Sequence, residues 1–296
     1  MKVSEILKNK KKPTLSFEYF PGRTEKGIET LNKTIDALDD LKPDFVSVTF
    51  GAGGSTREGS YDLVKKIKEE KQSEIIAYLT CYGLSQDDIT DILDSYKDLG
   101  IENILALRGD AGKNGVDTKM PEDSFTYAYE LVNFIRKKYD FCLGVAGYPE
   151  GHIEAPDLET DIKYLKNKVD QGADYIIANF SYDNAHFLNF IDLCKKHDIN
   201  VPILIGIMPV YSIKMLEILT KNCGAEIPEK LSKGISELPN DDKEALVKFG
   251  IEYATQQCEE LLKEGIDGLH IYTMDNSKST VGLINNLREK GFLTVK

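Results

Sequence analysis

The chain has 296 residues, of which 41% are hydrophobic and 29% are charged, and its formal net charge is −12. This composition is typical of a soluble globular protein and excludes a disordered chain. The negative charge argues against nucleic acids and anionic membrane surfaces as partners, because both bind basic patches. No apolar run approaches the roughly 18 residues of a membrane-spanning helix. The five cysteines form no CxxC pair, so we expect free thiols and a cytoplasmic location.

Short apolar runs alternate with longer amphipathic segments along the whole chain. The runs predicted to be strands are 15–20, 45–50, 74–80, 103–108, 141–148, 175–180, 202–208 and 268–274. The helical patterns lie near 26–40, 57–70, 85–99, 123–138, 157–171, 184–198, 212–221, 241–264 and 276–290. A glycine precedes three of the strands, as is typical of the residue that ends a helix, at Gly100, Gly172 and Gly265.

Eight strands that are each followed by a helix predict an α/β protein with the (β/α)8 TIM barrel fold. No linker divides the pattern, so we expect residues 1–296 to form one barrel domain. A doubly wound sheet is the alternative, but no GxGxxG motif follows any strand. The less regular segment 222–240 is interpreted as an excursion between the seventh strand and its long helix.

The first predicted strand contains a carboxylate within an apolar run, in residues 15–21 (LSFEYFP). A glutamate is almost never fully buried unless it is paired or functional. Burial disfavours the charged form of a carboxyl group, which makes a buried acid a candidate proton donor near neutral pH. Pro21 ends the strand directly afterwards, so Glu18 lies near the carboxyl end, where barrel enzymes carry their active sites.

Polar residues follow other predicted strands, and each of them also has a structural interpretation. Glu18 can form an ion pair with Arg108 inside the barrel, since structural networks also bury charged groups. The glycine-rich residues 51–55 lack the GxxxxGK[ST] pattern and are weak support for a phosphate site. His152 stands alone, as a structural histidine often does. No His, Cys or Asp spacing in the sequence suggests a metal site.

Several motifs occur in a specific order along the chain. They are residues 17–21 (FEYFP), 45–52 (FVSVTFGA), 79–81 (LTC), 106–110 (ALRGD), 146–152 (AGYPEGH) and 206–210 (GIMPV). From about residue 14 to residue 290, this combination closely resembles the 5,10-methylenetetrahydrofolate reductase family. The resemblance implies an FAD-bearing barrel that passes a hydride from NADH or NADPH to 5,10-methylenetetrahydrofolate in a ping-pong scheme. It also implies a homo-oligomer.

The resemblance assigns roles to individual residues of this chain. Glu18 matches the general acid that opens the methylene bridge, and Asp110 matches the aspartate that holds the pterin and tunes the flavin. The positions that match FAD-binding residues are Thr49, Arg108, Gly109, Asp110, Tyr127, Tyr148, His152, Asp161 and Lys168. Lys168 and the region of Arg108 are the expected partners of the FAD pyrophosphate.

The chain also departs from the family pattern. Tyr78 replaces a histidine at the third strand and is still expected to bind the cofactor. Tyr164 and Asn167 replace polar positions that contact FAD. The departures at the substrate positions are Asn179 and Met215, each in place of a glutamine, and Leu219 in place of the aromatic residue that stacks on the nucleotide. We therefore expect weakened binding of NADH, and an electron-transfer partner subunit is an alternative electron donor.

Three other interpretations of the function compete with a reductase. A non-catalytic folate-binding subunit would not need Glu18 and Asp110. A lyase or aldolase would need a lysine at a strand end or a metal cluster, and no predicted strand ends in lysine. A folate methyltransferase would need a cobalamin or thiol partner, and the sequence has no zinc-binding spacing that supports one.

Overall fold

Eight parallel strands close into a barrel, in the order β1 to β8 with β8 paired to β1. The structure is a computed structural model that describes residues 1–9, 11–51, 57–109 and 120–294. The strands are β1 (Thr14–Tyr19), β2 (Phe45–Val48), β3 (Glu74–Thr80), β4 (Asn103–Leu107), β5 (Cys142–Gly147), β6 (Tyr175–Ala178), β7 (Ile203–Ile207) and β8 (Gly268–Tyr272). The predicted (β/α)8 barrel is confirmed.

Helices surround this barrel and connect successive strands. In the described part of the chain they are α1 (Val3–Asn9), α2 (Glu25–Asp39), α3 (Arg57–Glu70), α4 (Gln86–Asp98), α5 (Ala128–Lys138), α6 (Leu158–Asp170), α7 (Asn184–Lys196), α8 (Ile213–Cys223), α9 (Glu229–Ser236), α10 (Lys243–Lys263) and α11 (Ser277–Glu289). Gly100, Gly172 and Gly265 follow helix ends with positive φ, as predicted. Among the described residues, no helix has both the length and the apolar character to cross a bilayer.

Two short helices were not predicted from the sequence. Helix α1 lies at the amino-terminal end of the barrel, where Val3 and Leu7 are buried and the Val3 amide donates to Oδ1 of Asn103 at 2.7 Å. Helix α9 lies within the excursion 222–240, where it buries Leu231 completely. Both helices have eight residues or fewer and place one or two apolar residues in the core, so their periodicity is too short to recognise.

Three apolar clusters hold the molecule together. The largest packs the helices against the outside of the barrel, and a second fills the barrel interior around Phe45, Ile76 and Tyr175. The third, here called the upper cluster, covers the carboxyl ends of the last strands and consists of Phe180, Tyr182, Met208, Val210, Leu216, Leu231 and Leu246. The clusters leave the mouth of the barrel between β1, β3 and β8 to polar side chains.

All five cysteines are free thiols, as predicted. Four of them are buried and Cys223 is partly exposed. Burial raises the pKa of the Cys81 thiol to about 12, and the weak interaction with Arg108 does not reverse this effect. Cys81 is therefore not a reactive thiolate near neutral pH.

Candidate active site

Glu18 lies inside the barrel at the carboxyl end of β1, where it is 3% exposed. The hydroxyl of Tyr78, on β3, donates a hydrogen bond of 2.5 Å to Oε2 of Glu18. Burial and the adjacent charge of Glu18 hold the pKa of Tyr78 well above its usual value. The phenol therefore keeps its proton and serves as a permanent donor to the carboxyl group.

His270, on β8, faces the same carboxyl group from the other side. Its ring is fully buried, and Nε2 lies 3.8 Å from Oε2 of Glu18 without a hydrogen-bond partner among the described residues. Its Nδ1 lies 2.8 Å from Oγ of Ser16, whose hydroxyl donates to the Leu269 carbonyl at 3.2 Å. Because Ser16 has a single hydroxyl proton, Nδ1 must donate to it. A neutral His270 therefore presents an acceptor nitrogen to Glu18.

A second acidic group, Asp275, follows β8 near the mouth of the barrel and was missed by the sequence analysis. Burial raises its pKa to about 6; a hydrogen bond from the Phe20 backbone opposes this shift, and the charge of Glu18 adds to it. Met274 and Asp275 both have positive φ, at 47° and 53°. The side-chain hydroxyl of Thr273 donates to the backbone carbonyl of Glu18 at 2.6 Å and holds this turn beside β1.

A chain of charged side chains lines the ends of β4 and β5. Arg108 donates to both carboxylate oxygens of Glu154, and the Glu154 amide donates to Nδ1 of His152 at 3.2 Å. The His152 amide donates to Oδ2 of Asp161 at 3.3 Å. These contacts, together with the charge of Lys168 near Asp161, join five residues into one group, here called the charged cluster.

Burial is the main cause of the pKa shifts of three members of the charged cluster: Lys168, Asp161 and His152. It lowers the pKa of Lys168 to about 8, although the charge of Asp161 acts in the opposite direction. Burial likewise raises the pKa of Asp161 and lowers that of His152. The Lys168 ammonium donates to the Ala146 carbonyl at 2.6 Å. Among the described residues, the partners of this buried amine are a carbonyl and the nearby Asp161 carboxylate, so it is a suitable site for an anion.

The remaining residues predicted at the FAD site lie around the same mouth. Gly109 has φ of +87°, and a Cβ there would lie 2.9 Å from Cβ of Thr80, so the position requires glycine. The ring of Tyr148 packs edge-on against His152 at 4.7 Å. Thr49 follows β2 and its amide donates to the Tyr19 carbonyl. Tyr127 precedes α5 and is 52% exposed, away from the contacts of the charged cluster.

Three of the positions predicted to bind substrate, besides Glu18 and Asp110, follow β6 or lie on α8. Asn179 follows β6, and its Oδ1 accepts from the Phe180 amide at 2.9 Å. Met215 and Leu219 lie on α8, where Leu219 packs against the upper cluster. Asp110 and residues 52–55 of the predicted glycine-rich loop lie outside the described residues, so their predicted roles stay predictions.

One structural alternative from the sequence is wrong. Arg108 does not pair with Glu18; its guanidinium pairs with Glu154, and the carboxyl group of Glu18 contacts Tyr78 and His270. The reason is topological, since Arg108 follows β4 and turns outward to the loop after β5. Glu18 therefore lacks the structural arginine partner that would have explained its burial.

Comparison with known proteins shows the family to which the chain belongs. The family model described as methylenetetrahydrofolate reductase matches residues 2–288. The chain belongs to the methylenetetrahydrofolate reductase family. It is 35% identical to the 5,10-methylenetetrahydrofolate reductase of Pectobacterium carotovorum, a match that covers 92% of this chain and 89% of the relative. The predicted family resemblance is thus confirmed.

The family also contains longer proteins. The chain is 38% identical to methylenetetrahydrofolate reductase (NADH) 1 of Arabidopsis thaliana, over 97% of this chain. That match covers 51% of the plant protein, so the chain spans about half the length of such relatives. Among solved structures, a Clostridium thermocellum protein described as binding two copies of 5-methyl-5,6,7,8-tetrahydrofolic acid has a TM-score of 0.63 and 18% identity. It covers 97% of this chain, is itself covered to 99%, and supports the fold alone.

Proposed function

We propose that this reductase-family barrel converts 5,10-methylenetetrahydrofolate to 5-methyltetrahydrofolate with FAD as cofactor. The observation that carries the proposal is the buried carboxyl group of Glu18, which Tyr78 holds at the mouth of the barrel. A buried acid at this end of a barrel is a catalytic candidate on physical grounds. Relatives named as reductases of this folate agree with it.

The residues beside the mouth fit an FAD molecule. Lys168 offers a buried ammonium group to the pyrophosphate. Tyr127, Ile153 and Tyr164 are each more than half exposed, which supplies apolar surface for an aromatic ring system. Thr49, Arg108, Tyr148, His152 and Asp161 complete the proposed site. When bound, FAD would carry the hydride from the donor to the folate.

Glu18 is proposed as the general acid. A proton donated by its carboxyl group to a nitrogen of the methylene bridge would open the bridge to an iminium cation that accepts a hydride. Tyr78 positions this carboxyl group through its hydrogen bond, and His270 lies where it can receive or return a proton. Asp110 is proposed to hold the pterin, and Asn179 to offer it an amide group.

The electron donor is proposed to be NADH, which would occupy the folate site in turn in a ping-pong scheme. Met215 and Leu219 would lie beside the nucleotide. Leu219 contributes an aliphatic contact to the upper cluster rather than an aromatic surface, and this favours an electron-transfer partner subunit as the second candidate donor. The loss of one aromatic stack costs about 1 kcal/mol, which weakens NADH binding without abolishing it.

An absorption spectrum of the purified protein, followed by anaerobic additions, tests the proposal. We expect a flavin band that is bleached by NADH and restored by 5,10-methylenetetrahydrofolate. A band that an artificial reductant bleaches but NADH does not would favour the partner subunit. A colourless protein that binds folate but not added FAD would contradict the reductase and favour a non-catalytic folate-binding subunit.

A further inference from the structure

Three potential metal ligands from distant parts of the chain meet outside the candidate active site. Glu150 lies in the loop after β5, His186 in the first turn of α7, and Glu226 in the segment after α8. One ligand atom from each lies within 4.8 Å of the other two. His186 Nε2 is 3.7 Å from Oε2 of Glu150 and 3.9 Å from Oε2 of Glu226.

The Glu150 carboxylate gives independent support for a ligand at this position. Its side chain is only 8% exposed, and Oε1 is buried without a hydrogen-bond partner among the described residues. The other oxygen, Oε2, accepts from the Glu226 amide at 2.8 Å. Leaving a buried carboxylate oxygen unpaired is costly. A second carboxylate beside it, in a chain of net charge −12, increases the need for a positive partner.

We propose that Glu150, His186 and Glu226 form a binding site for a divalent transition-metal cation, of which Zn²⁺ fits best. Imidazole and carboxylate are both preferred zinc ligands, with bonds of about 2.0–2.2 Å. Tetrahedral ligands at that distance lie roughly 3.3 Å apart. The His186 nitrogen, at 3.7 and 3.9 Å from the two carboxylates, lies close to that spacing, and the ligand atoms as a group, within 4.8 Å of one another, would have to draw closer together. Three protein ligands leave a fourth position for water.

The proposed cation would join the two sides of the barrel mouth. Glu150 belongs to the loop that carries Tyr148 and His152, whereas Glu226 follows the helix that carries Leu219. The two segments already touch, since a Cβ at Gly224 would lie 2.6 Å from Cγ2 of Ile153. The metal would therefore fasten the segment after α8 to the loop after β5 and stabilise the folded chain by binding to it.

The competing explanation is a protonated His186 that bridges the two carboxylates without a metal. Both explanations use the same side chains. Only the metal site predicts that one cation binds per chain and that its binding depends on all three side chains. The sequence analysis found no metal site because the ligands are 36 and 40 residues apart along the chain, being residues 150, 186 and 226. Only the fold brings them together.

Calorimetric titration of the chelator-treated full chain with Zn²⁺ tests the proposal. We expect one Zn²⁺ per chain, with at least tenfold weaker binding in the variants Glu150→Gln, His186→Ala and Glu226→Gln. Zn²⁺ should raise the thermal unfolding midpoint of the wild type by several degrees and leave the midpoints of these three variants unchanged. Glu150→Gln retains an oxygen that can accept from the Glu226 amide, and Glu226→Gln changes a side chain that is 79% exposed, so both variants should fold.

Two variants serve as matched controls. His197→Ala removes another histidine of the same helical segment, whose Nε2 lies 2.8 Å from Oε1 of Glu159, and Cys223→Ser removes the nearest partly exposed thiol. Both should bind Zn²⁺ like the wild type. The proposal is overturned if the wild type binds no stoichiometric Zn²⁺, if His186→Ala binds it equally well, or if Cys223→Ser alone abolishes binding.

Discussion

The hydroxyl of Tyr78 on β3 donates a hydrogen bond of 2.5 Å to the carboxyl group of Glu18 on β1, across the interior of the barrel. The two residues are not on adjacent strands, because β2 lies between them. The contact therefore depends on the closed barrel and on both side chains pointing inward. It makes Tyr78 the main positioning residue for the proposed acid.

Tyr78→Phe should slow the reduction of 5,10-methylenetetrahydrofolate about tenfold, while reduction of the flavin by the donor stays unchanged. A hydrogen bond to a charged group contributes about 1.5–3 kcal/mol, of which part is lost when the carboxyl group is less well positioned. Stopped-flow measurement of the two half-reactions tests this effect.

Tyr175→Phe is the matched control for this substitution. Tyr175 is another fully buried tyrosine of the barrel interior, and its hydroxyl has no hydrogen-bond partner among the described residues. Its removal should leave both half-reactions unchanged. Equal slowing by both substitutions would mean that Tyr78 acts through packing and not through Glu18.

Lys168→Met should weaken FAD binding about ten- to a hundredfold, because a charge-assisted hydrogen bond contributes about 1.5–3 kcal/mol. With a pKa of about 8 for its buried amine, Lys168 loses its positive charge as the pH rises above 8. FAD affinity of the wild type should therefore fall over that range. Titration of the FAD-free protein with FAD, followed by flavin fluorescence, measures both effects.

Lys166→Met provides the control, since Lys166 lies on the same helix and pairs with Asp170 at the surface. It should bind FAD within about twofold of the wild type, as is usual for an exposed ion pair. If Lys168→Met bound FAD as tightly as the wild type, the FAD pyrophosphate would not contact Lys168.

Asp275→Asn should stabilise the protein at pH 7 and leave its stability unchanged at pH 3.5. The pKa of Asp275 is about 6 in the folded protein, above its usual value of 3.8, so the folded state holds this proton more tightly. Its stabilising contribution is complete below about pH 4 and is lost as the pH rises through 6. We expect a gain of about 1 kcal/mol in the free energy of unfolding at pH 7, after solvent screening at this partly exposed site.

Denaturant unfolding at the two pH values measures this gain, with Asp241→Asn as the control. Asp241 also has positive φ, at 58°, but its side chain is exposed. The control separates the tolerance of asparagine for this backbone conformation from the effect of burial. Equal gains at both pH values, or in both variants, would contradict the assignment.

Leu219→Phe should lower the KM for NADH about fivefold, because an aromatic stack contributes about 1 kcal/mol. Leu219 is partly buried against the upper cluster. An aromatic ring at this position would therefore pack against the cluster on one face and leave the other face accessible to the nucleotide. Ile218→Phe, at the exposed neighbouring position, should leave the KM unchanged. An unaltered KM in Leu219→Phe would mean that NADH binds away from α8, or that another donor is used.

The barrel was predictable because its signals are local. Each strand is a short apolar run, and glycines such as Gly100 and Gly172 mark the helix ends with the positive φ that the sequence implied. Helix α1 was missed because its buried residues, Val3 and Leu7, amount to a single helical repeat. Their burial becomes apparent only when the barrel provides a surface for them.

The candidate site was only partly predictable. Glu18 was conspicuous as a carboxylate in an apolar strand, but its partners Tyr78 and His270 depend on which strands face each other across the barrel. The same limit led to the wrong pairing of Arg108, whose partner Glu154 lies 46 residues away. The elevated pKa of Asp275 likewise follows from burial in the turn after β8, which no local pattern indicates.

The central claim is that Glu18 supplies the proton for folate reduction, and Glu18→Gln tests it most directly. Glutamine keeps the size of the side chain and an oxygen that can accept from Tyr78, but it cannot act as an acid. Anaerobic stopped-flow absorbance of the FAD-loaded variant should show normal flavin reduction by the donor. Reoxidation by 5,10-methylenetetrahydrofolate should be slower by a factor of about 10² to 10⁴, as for loss of a general acid. Reoxidation at the wild-type rate would contradict the account.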